Sequence, residues 1–222
     1  MRGEGRQQAR RGEDQRPEQS SAGNVRQGCV CSGARQIVAR QEGVPKILDM
    51  TTARPAGGID ASAAGLTPKQ RGILDYEGTI TTRMETVAGE PVDVVLLTQE
   101  RLPLPHDHPL AGARRGEDAV VRAVELRGRS SGRLLIHARA LLLPARIGED
   151  ETRQIMDGTA GIGRVLARSD LPTTRNMLWT GIEQGGPELP PALAEGCLAR
   201  VYQILVGGRP AILIIERFPR DI

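Results

Sequence analysis

The stretch ARVYQILVGGRPAILIIERFP, residues 199–219, decides how the chain is read. Two apolar runs flank Gly207-Gly208, and paired glycines supply the positive φ angles of a tight hairpin turn. Side chains alternate along a strand, so Ile212, Ile214, Glu216 and Phe218 share one face, with Ala211, Leu213 and Ile215 on the other. Both faces are apolar, which predicts a strand in the middle of a sheet, covered on each side. Glu216 then sits where an unpaired carboxylate is costly. A buried cation, a bound ligand or a proton has to compensate it.

Working outward, residues 119–127 and 133–143 form a second hairpin across Gly128-Arg129-Ser130-Ser131-Gly132. Val120, Arg122, Val124 and Leu126 share its more apolar face, so Arg122 is a second charge on an apolar strand, opposite in sign to Glu216. Residues 79–87 are β-branched and alternating, and a turn at Ala88-Gly89-Glu90-Pro91 leads into residues 92–99, which predicts a third strand pair. A helix is expected from Pro68 to about Tyr76, with Thr67 as N-cap, Gln70 closing a capping box and Gly78 ending it. Residues 150–156 predict a short helix with an acidic first turn. Residues 172–179 read as a helix or turn. Six strands in three hairpins with helices between them make an α+β domain on an antiparallel sheet.

Length and composition bound the rest. The 222 residues suffice for one domain of ordinary size and an extra segment. Residues 1–45 are rich in Arg, Gln, Gly and Glu and residues 53–65 in Gly and Ala, so residues 1–65 are expected to be a disordered low-complexity extension and linker, ordered only around residues 44–50. A basic arm is the competing reading of residues 1–45. The folded domain is expected over residues 66–222. Only Tyr76, Trp179, Tyr202 and Phe218 are aromatic, which leaves few stacking platforms for nucleic-acid bases. A net charge of +3 is mildly basic and suits a small anionic ligand. No apolar run is long enough for a membrane span, and the N-terminus lacks a secretory apolar core, so the expectation is a cytoplasmic protein.

Three cysteines, Cys29, Cys31 and Cys197, lack the second pair that a zinc site uses and read as free thiols. His106 and His108, with His137 as a third ligand, offer a metal reading. A polar, proline-stiffened loop is the preferred one, and no metal is expected. The run Gly158-Thr159-Ala160-Gly161-Ile162-Gly163-Arg164 lets backbone approach a ligand and opens a helix whose free N–H groups suit an anion. Together with Arg122, which can hold a carboxylate bidentately, and a carboxylate in an apolar pocket, the set fits a small hydroxylated dicarboxylate with an apolar ring. The pattern equally allows a buried Arg–Glu ion pair that only fixes strand register.

From residue 66 to residue 219 the chain resembles the chorismate lyase family, particularly its actinobacterial and cyanobacterial branch. The resemblance is carried by LTPKQRGILDYEGTIT (66–81), VVRAVELRGRSSGRLLIHARALLLPARI (120–147), GIGRVLARSDLPTTRNMLW (161–179) and the 199–219 hairpin, in the family's order. It implies conversion of chorismate to 4-hydroxybenzoate and pyruvate without metal or organic cofactor. It also implies a six-stranded antiparallel sheet flanked by helices, with the ligand buried under flap-like loops. Arg122 matches the family's carboxylate-binding arginine, and Glu216 its carboxylate near the ring hydroxyl. Ile80, in a strand motif G-T-x-T, and Ile162 match the residues whose backbone N–H groups hold the ring carboxylate. Thr81, Gly161 and Gly163 beside them complete the expected substrate-binding set. The extension over residues 1–65 has no counterpart, and flap residues within 102–118 cannot be matched.

The same fold serves as the ligand-sensing domain of GntR-type regulators, but residues 1–65 lack the apolar periodicity of a winged helix-turn-helix. Two more functions suit the same residues: binding of aromatic acids without turnover, and a sister lyase activity on a related chorismate-derived substrate. Nucleic acid and membrane are not expected as partners, and the sequence leaves the oligomeric state open.

Overall fold

The computed structural model describes residues 46–157 and 161–222. The expectations for residues 1–45, including Cys29 and Cys31, and for Gly158-Thr159-Ala160 lie outside the described residues. Seven strands form one antiparallel sheet among the described residues: β1 (Ile59–Asp60), β2 (Val92–Pro103), β3 (Asp118–Gly128), β4 (Leu134–Leu142), β5 (Thr173–Glu183), β6 (Cys197–Val206) and β7 (Arg209–Pro219), in the order β1-β5-β6-β7-β4-β3-β2. The expected α+β class and hairpin-built antiparallel sheet hold, and β7 is central as its two apolar faces require. Gly207 and Gly208 turn the β6–β7 hairpin at φ 55° and 79°.

The five helices among the described residues are α1 (Pro68–Leu74), α2 (Ile80–Ala88), α3 (Pro144–Ile147), α4 (Glu149–Met156) and α5 (Ile162–Leu166). The α1 capping box forms as expected: Gln70 N–H donates to Thr67 Oγ1 at 3.2 Å, and Thr67 N–H donates to Gln70 Oε1 at 2.9 Å.

Two element assignments are corrected. Residues 79–87, expected as a strand, are helix α2. Ile80, Thr81, Met84, Val87 and Ala88 recur at helical spacing and pack on α1 and the sheet, and Gly89 closes the helix at φ 69°. Its β-branched residues carry a strand propensity that this packing overrides. Residues 172–179, expected as helix or turn, belong to strand β5, which pairs with β6 along its length. With α2 removed and β1 and β5 added, six expected strands become seven.

The segment ahead of α1 carries structure of its own among the described residues. A 3-10 helix at Lys46–Asp49 buries Ile47 and Leu48 fully, β1 pairs with β5, and Trp179 Nε1 donates to Asp60 Oδ1 at 2.6 Å. Burial of Ile47 and Leu48 offsets the ordering of residues 46–49, and pairing with β5 holds residues 59–60.

One sheet face packs Leu141, Leu143, Val121, Val201, Leu213 and Ile215 against Ile47, Leu48 and the loop after β2. On the other face are two separate apolar clusters. One joins α1 and α2 to Leu126, Ile136 and Phe218; the other joins α3, α4 and α5 to Val120, Leu142, Ile212 and Ile214. The gap between these two helical clusters is where the site lies. Among the described residues, no helix is long and apolar enough to cross a membrane.

Candidate functional site

A cavity of about 330 Å³ occupies that gap. Its floor is the sheet: Arg122 and Val124 from β3, Ala138 and Ala140 from β4, Tyr202 from β6, and Ile214 and Glu216 from β7. Its cover is the segment entering α2 and the start of α5. Ile80, Thr81, Gly161, Ile162 and Gly163 all line it, so the structure brings every sequence-predicted site residue to one cavity. Two details differ. Ile80 is the first residue of α2 rather than part of a strand. The loop over residues 102–118 lines none of the cavity; Leu104, Ala111 and Ala113 pack on the opposite sheet face.

The starts of the two covering helices meet. A β-carbon placed on Gly161 would stand 3.7 Å from Thr81 Oγ1, and one on Gly163 would stand 3.9 Å from Thr79 Cγ2. Neither N-cap, Thr79 for α2 or Gly161 for α5, makes a side-chain cap hydrogen bond. First-turn N–H groups of a helix lack intrahelical partners, so both segments carry backbone donors at the cavity.

Glu216 is 4% exposed and its cation is Arg200, directly opposite it on β6. Arg200 Nε donates to Glu216 Oε2 at 2.6 Å, and the Tyr202 hydroxyl donates to Oε1 at 3.0 Å. Arg200 is completely buried, and its Nη1 reaches the carbonyl oxygens of Ile73, Leu74 and Tyr76 at 3.3, 3.2 and 2.7 Å. The carbonyls of Ile73 and Leu74 end α1, where a cation is favoured. Burial opposes the charge on Arg200, but the Glu216 carboxylate and Tyr202 outweigh it and hold the proton more tightly than usual. Burial, followed by the same carboxylate, pushes the Tyr202 hydroxyl far above its ordinary range, so it stays a donor. A buried Arg–Glu ion pair therefore exists, but Arg200 forms it rather than Arg122.

Arg122 is 2% exposed; its Nη1 donates to Gln99 Oε1 at 2.9 Å and to the carbonyl oxygen of Ile155. Burial lowers its pKa from the ordinary arginine value. Arg175 on β5 also lines the cavity, although the sequence did not single it out. Its guanidinium lies 4.7 Å from the centre of the Tyr202 ring, and Nη1 donates to the carbonyls of Tyr76 and Glu77 at 3.2 and 2.7 Å. The available signal was Thr173-Thr174-Arg175 inside the 161–179 motif, hidden by reading that stretch as helix or turn.

The histidines of the metal reading are occupied separately. His106 and His108 each place Nε2 2.8 Å from a backbone carbonyl, of Leu48 and Ile47 respectively. His108 Nδ1 accepts from Ala111 N–H, so its proton is on Nε2. His137 lies on β4, beside Glu125 at 3.8 Å.

The fold and cavity define a class: an α+β domain with a cavity of small-molecule size between an antiparallel sheet and two short helix starts. No protein-family profile matches the chain. The chain is similar over two thirds of its length to curated proteins named chorismate pyruvate-lyase. The relative from Mycobacterium leprae is 26% identical over 158 residues, covering 68% of this chain and 73% of that protein. The relative from Mycobacterium tuberculosis H37Rv is 24% identical over 164 residues, covering 68% and 79%. The resemblance drawn from the sequence is thus borne out among distant relatives. Solved structures that overlay on the chain include PhnF from Mycobacterium smegmatis, at TM-score 0.47 and 15% identity over 66% of each chain. The ligand-binding domain of a GntR-family regulator from Bordetella bronchiseptica overlays at TM-score 0.44 and 15% identity, over 57% of this chain and 84% of that one.

Proposed function

We propose that the protein is a chorismate lyase, forming 4-hydroxybenzoate and pyruvate by an aromatising elimination. The observation that carries this reading is one cavity in which Arg122, Glu216 and the starts of α2 and α5 converge. Chorismate is a dianion with a ring hydroxyl and an enolpyruvyl ether, and each of these groups has a counterpart. Arg122 holds the enolpyruvyl carboxylate and stabilises charge growing on the departing group. Glu216, fixed by Arg200 and Tyr202, accepts a hydrogen bond from the 4-hydroxyl and takes or relays the proton lost from C4. Backbone N–H groups of Ile80 and Ile162 hold the ring carboxylate. As the C4–H electrons form the new ring double bond, the ether C–O bond breaks, and released enolpyruvate gains a proton at carbon to become pyruvate. Aromatisation drives the step, so placement of the substrate matters more than a strong acid or base.

Chromatography of products from purified protein and chorismate tests the reading. Stoichiometric 4-hydroxybenzoate and pyruvate are expected. A different aromatic acid would mark a sister lyase, and tight binding of aromatic acids without product would mark a non-catalytic binder.

A further inference from the structure

We infer that Arg175 is a second substrate-binding cation, paired with the ring carboxylate at the start of α2; this rests on the chorismate lyase reading. Three observations converge on it. Arg175 lines the cavity, and among the described residues it forms no ion pair; its hydrogen-bond acceptors are the neutral carbonyls of Tyr76 and Glu77. Its Nε is buried and has no hydrogen-bond partner among the described residues. A buried donor of this kind is costly to leave unmet unless a ligand takes it. Finally, Arg175 grips the chain two residues before the α2 N-cap Thr79, close to Ile80, which also lines the cavity.

The charges in the cavity follow the same logic. Glu216 is already matched by Arg200, so it draws no second cation. Glu77 lines the cavity as an exposed residue, with its charge in water. Arg122 on β3 and Arg175 on β5 flank β4, β7 and β6, four strand spacings or about 19 Å apart at the backbone. Glu216 on β7 lies between them. A ring with its hydroxyl at Glu216 and its ether directed to Arg122 points its para carboxylate away from Glu216. Two neutral N–H groups alone would leave that anion, once out of water, without a counter-charge, which is expensive. Arg175 supplies the charge, and the Tyr202 ring, 4.7 Å from its guanidinium, favours the cation there.

The test compares binding of 4-hydroxybenzoate with that of its uncharged analogue 4-hydroxybenzamide, by calorimetry, in wild type, Arg175→Gln and Arg175→Lys. Wild type is expected to prefer the acid, and Arg175→Gln to lose about 10- to 100-fold in affinity for the acid with little change for the amide. Arg175→Lys is expected to recover part of the difference. A merely structural role would weaken both ligands alike. If Arg175→Gln keeps the wild-type preference for the acid, or if wild type shows none, the assignment is overturned. Turnover of chorismate by wild type is measured in parallel, so loss of the lyase reading and loss of the Arg175 assignment are separate results.

Discussion

Arg200 and Glu216 face each other across the β6–β7 hairpin as a buried ion pair, 2.6 Å from Nε to Oε2. Removing one partner leaves the other as an uncompensated buried charge, whereas replacing both does not. Arg200→Met is therefore expected to destabilise the fold by about 3–5 kcal/mol. The double variant Arg200→Met/Glu216→Leu should recover most of that loss in urea unfolding, yet remain inactive on chorismate. Additive losses in the double variant would show that the pair is not coupled.

Tyr202→Phe removes one donor from Glu216 and keeps the ring under Arg175. The expected stability cost is about 1–3 kcal/mol, since a hydrogen bond to a charged group is lost. Turnover should fall about tenfold through a less firmly oriented Glu216, with a smaller change in KM. Because burial holds the hydroxyl protonated, the wild-type rate should show no ionisation of this group near neutral pH. Steady-state kinetics from pH 6 to 9 on both proteins check this.

Arg122→Ala is expected to lower kcat/KM for chorismate by at least about 100-fold, which corresponds to losing one charge-assisted contact that strengthens in the transition state. A folded variant, confirmed by circular dichroism, that keeps near-wild-type turnover would remove Arg122 from the mechanism.

Glu125 on β3 carries a pH dependence unrelated to the cavity. Its carboxyl is held below the ordinary 4.5 by His137 at 3.8 Å and by Arg127 Nε at 2.8 Å, against the opposing effect of burial. A folded-state pKa below the unfolded one means stability that is present above pH 4.5 and disappears as pH falls through the lower, folded value. Urea midpoints measured between pH 7 and pH 3 should fall less steeply in Glu125→Gln than in wild type. Parallel slopes would exclude the linkage.

Cys197 is fully buried, and burial pushes its thiol up to about 12. Iodoacetamide at pH 8 should leave Cys197 unmodified in the native protein and label it in urea, as read by peptide mass spectrometry.

Much of the cavity floor was legible because strand alternation is rigid. Once β3 and β7 were recognised, Arg122 and Glu216 had to project from apolar strand faces. The partner of Glu216 was not legible, for a specific reason. Counting outward from the Gly207-Gly208 turn pairs Val206 with Arg209 and would place Arg200 opposite Ile215. An irregularity between Ile204 and Leu205 shifts the register by one residue and sets Arg200 opposite Glu216. The same shift moves Ala211, expected beside Leu213 and Ile215, into the cluster with Ile212 and Ile214. The α2 segment failed differently: Ile80, Thr81 and Thr82 read as strand because a short β-branched run lacks the length to reveal its helical period. Arg175 was missed with β5, since a residue assigned to a helix or turn cannot be placed on a sheet face.

The 3-10 helix at Lys46–Asp49 has a practical consequence for shortening the chain. Its Ile47 and Leu48 plug the sheet face opposite the cavity, and the His106 and His108 rings are fastened to their carbonyls. A truncation at residue 66, where the family resemblance read from the sequence begins, would cut inside the packed body. It would uncover Leu141, Leu143 and Leu213 to water and strip β5 of its edge partner β1. Such a fragment gains an open strand edge and an apolar patch together, the combination that drives self-association. A fragment that starts at or before residue 46 keeps both covered.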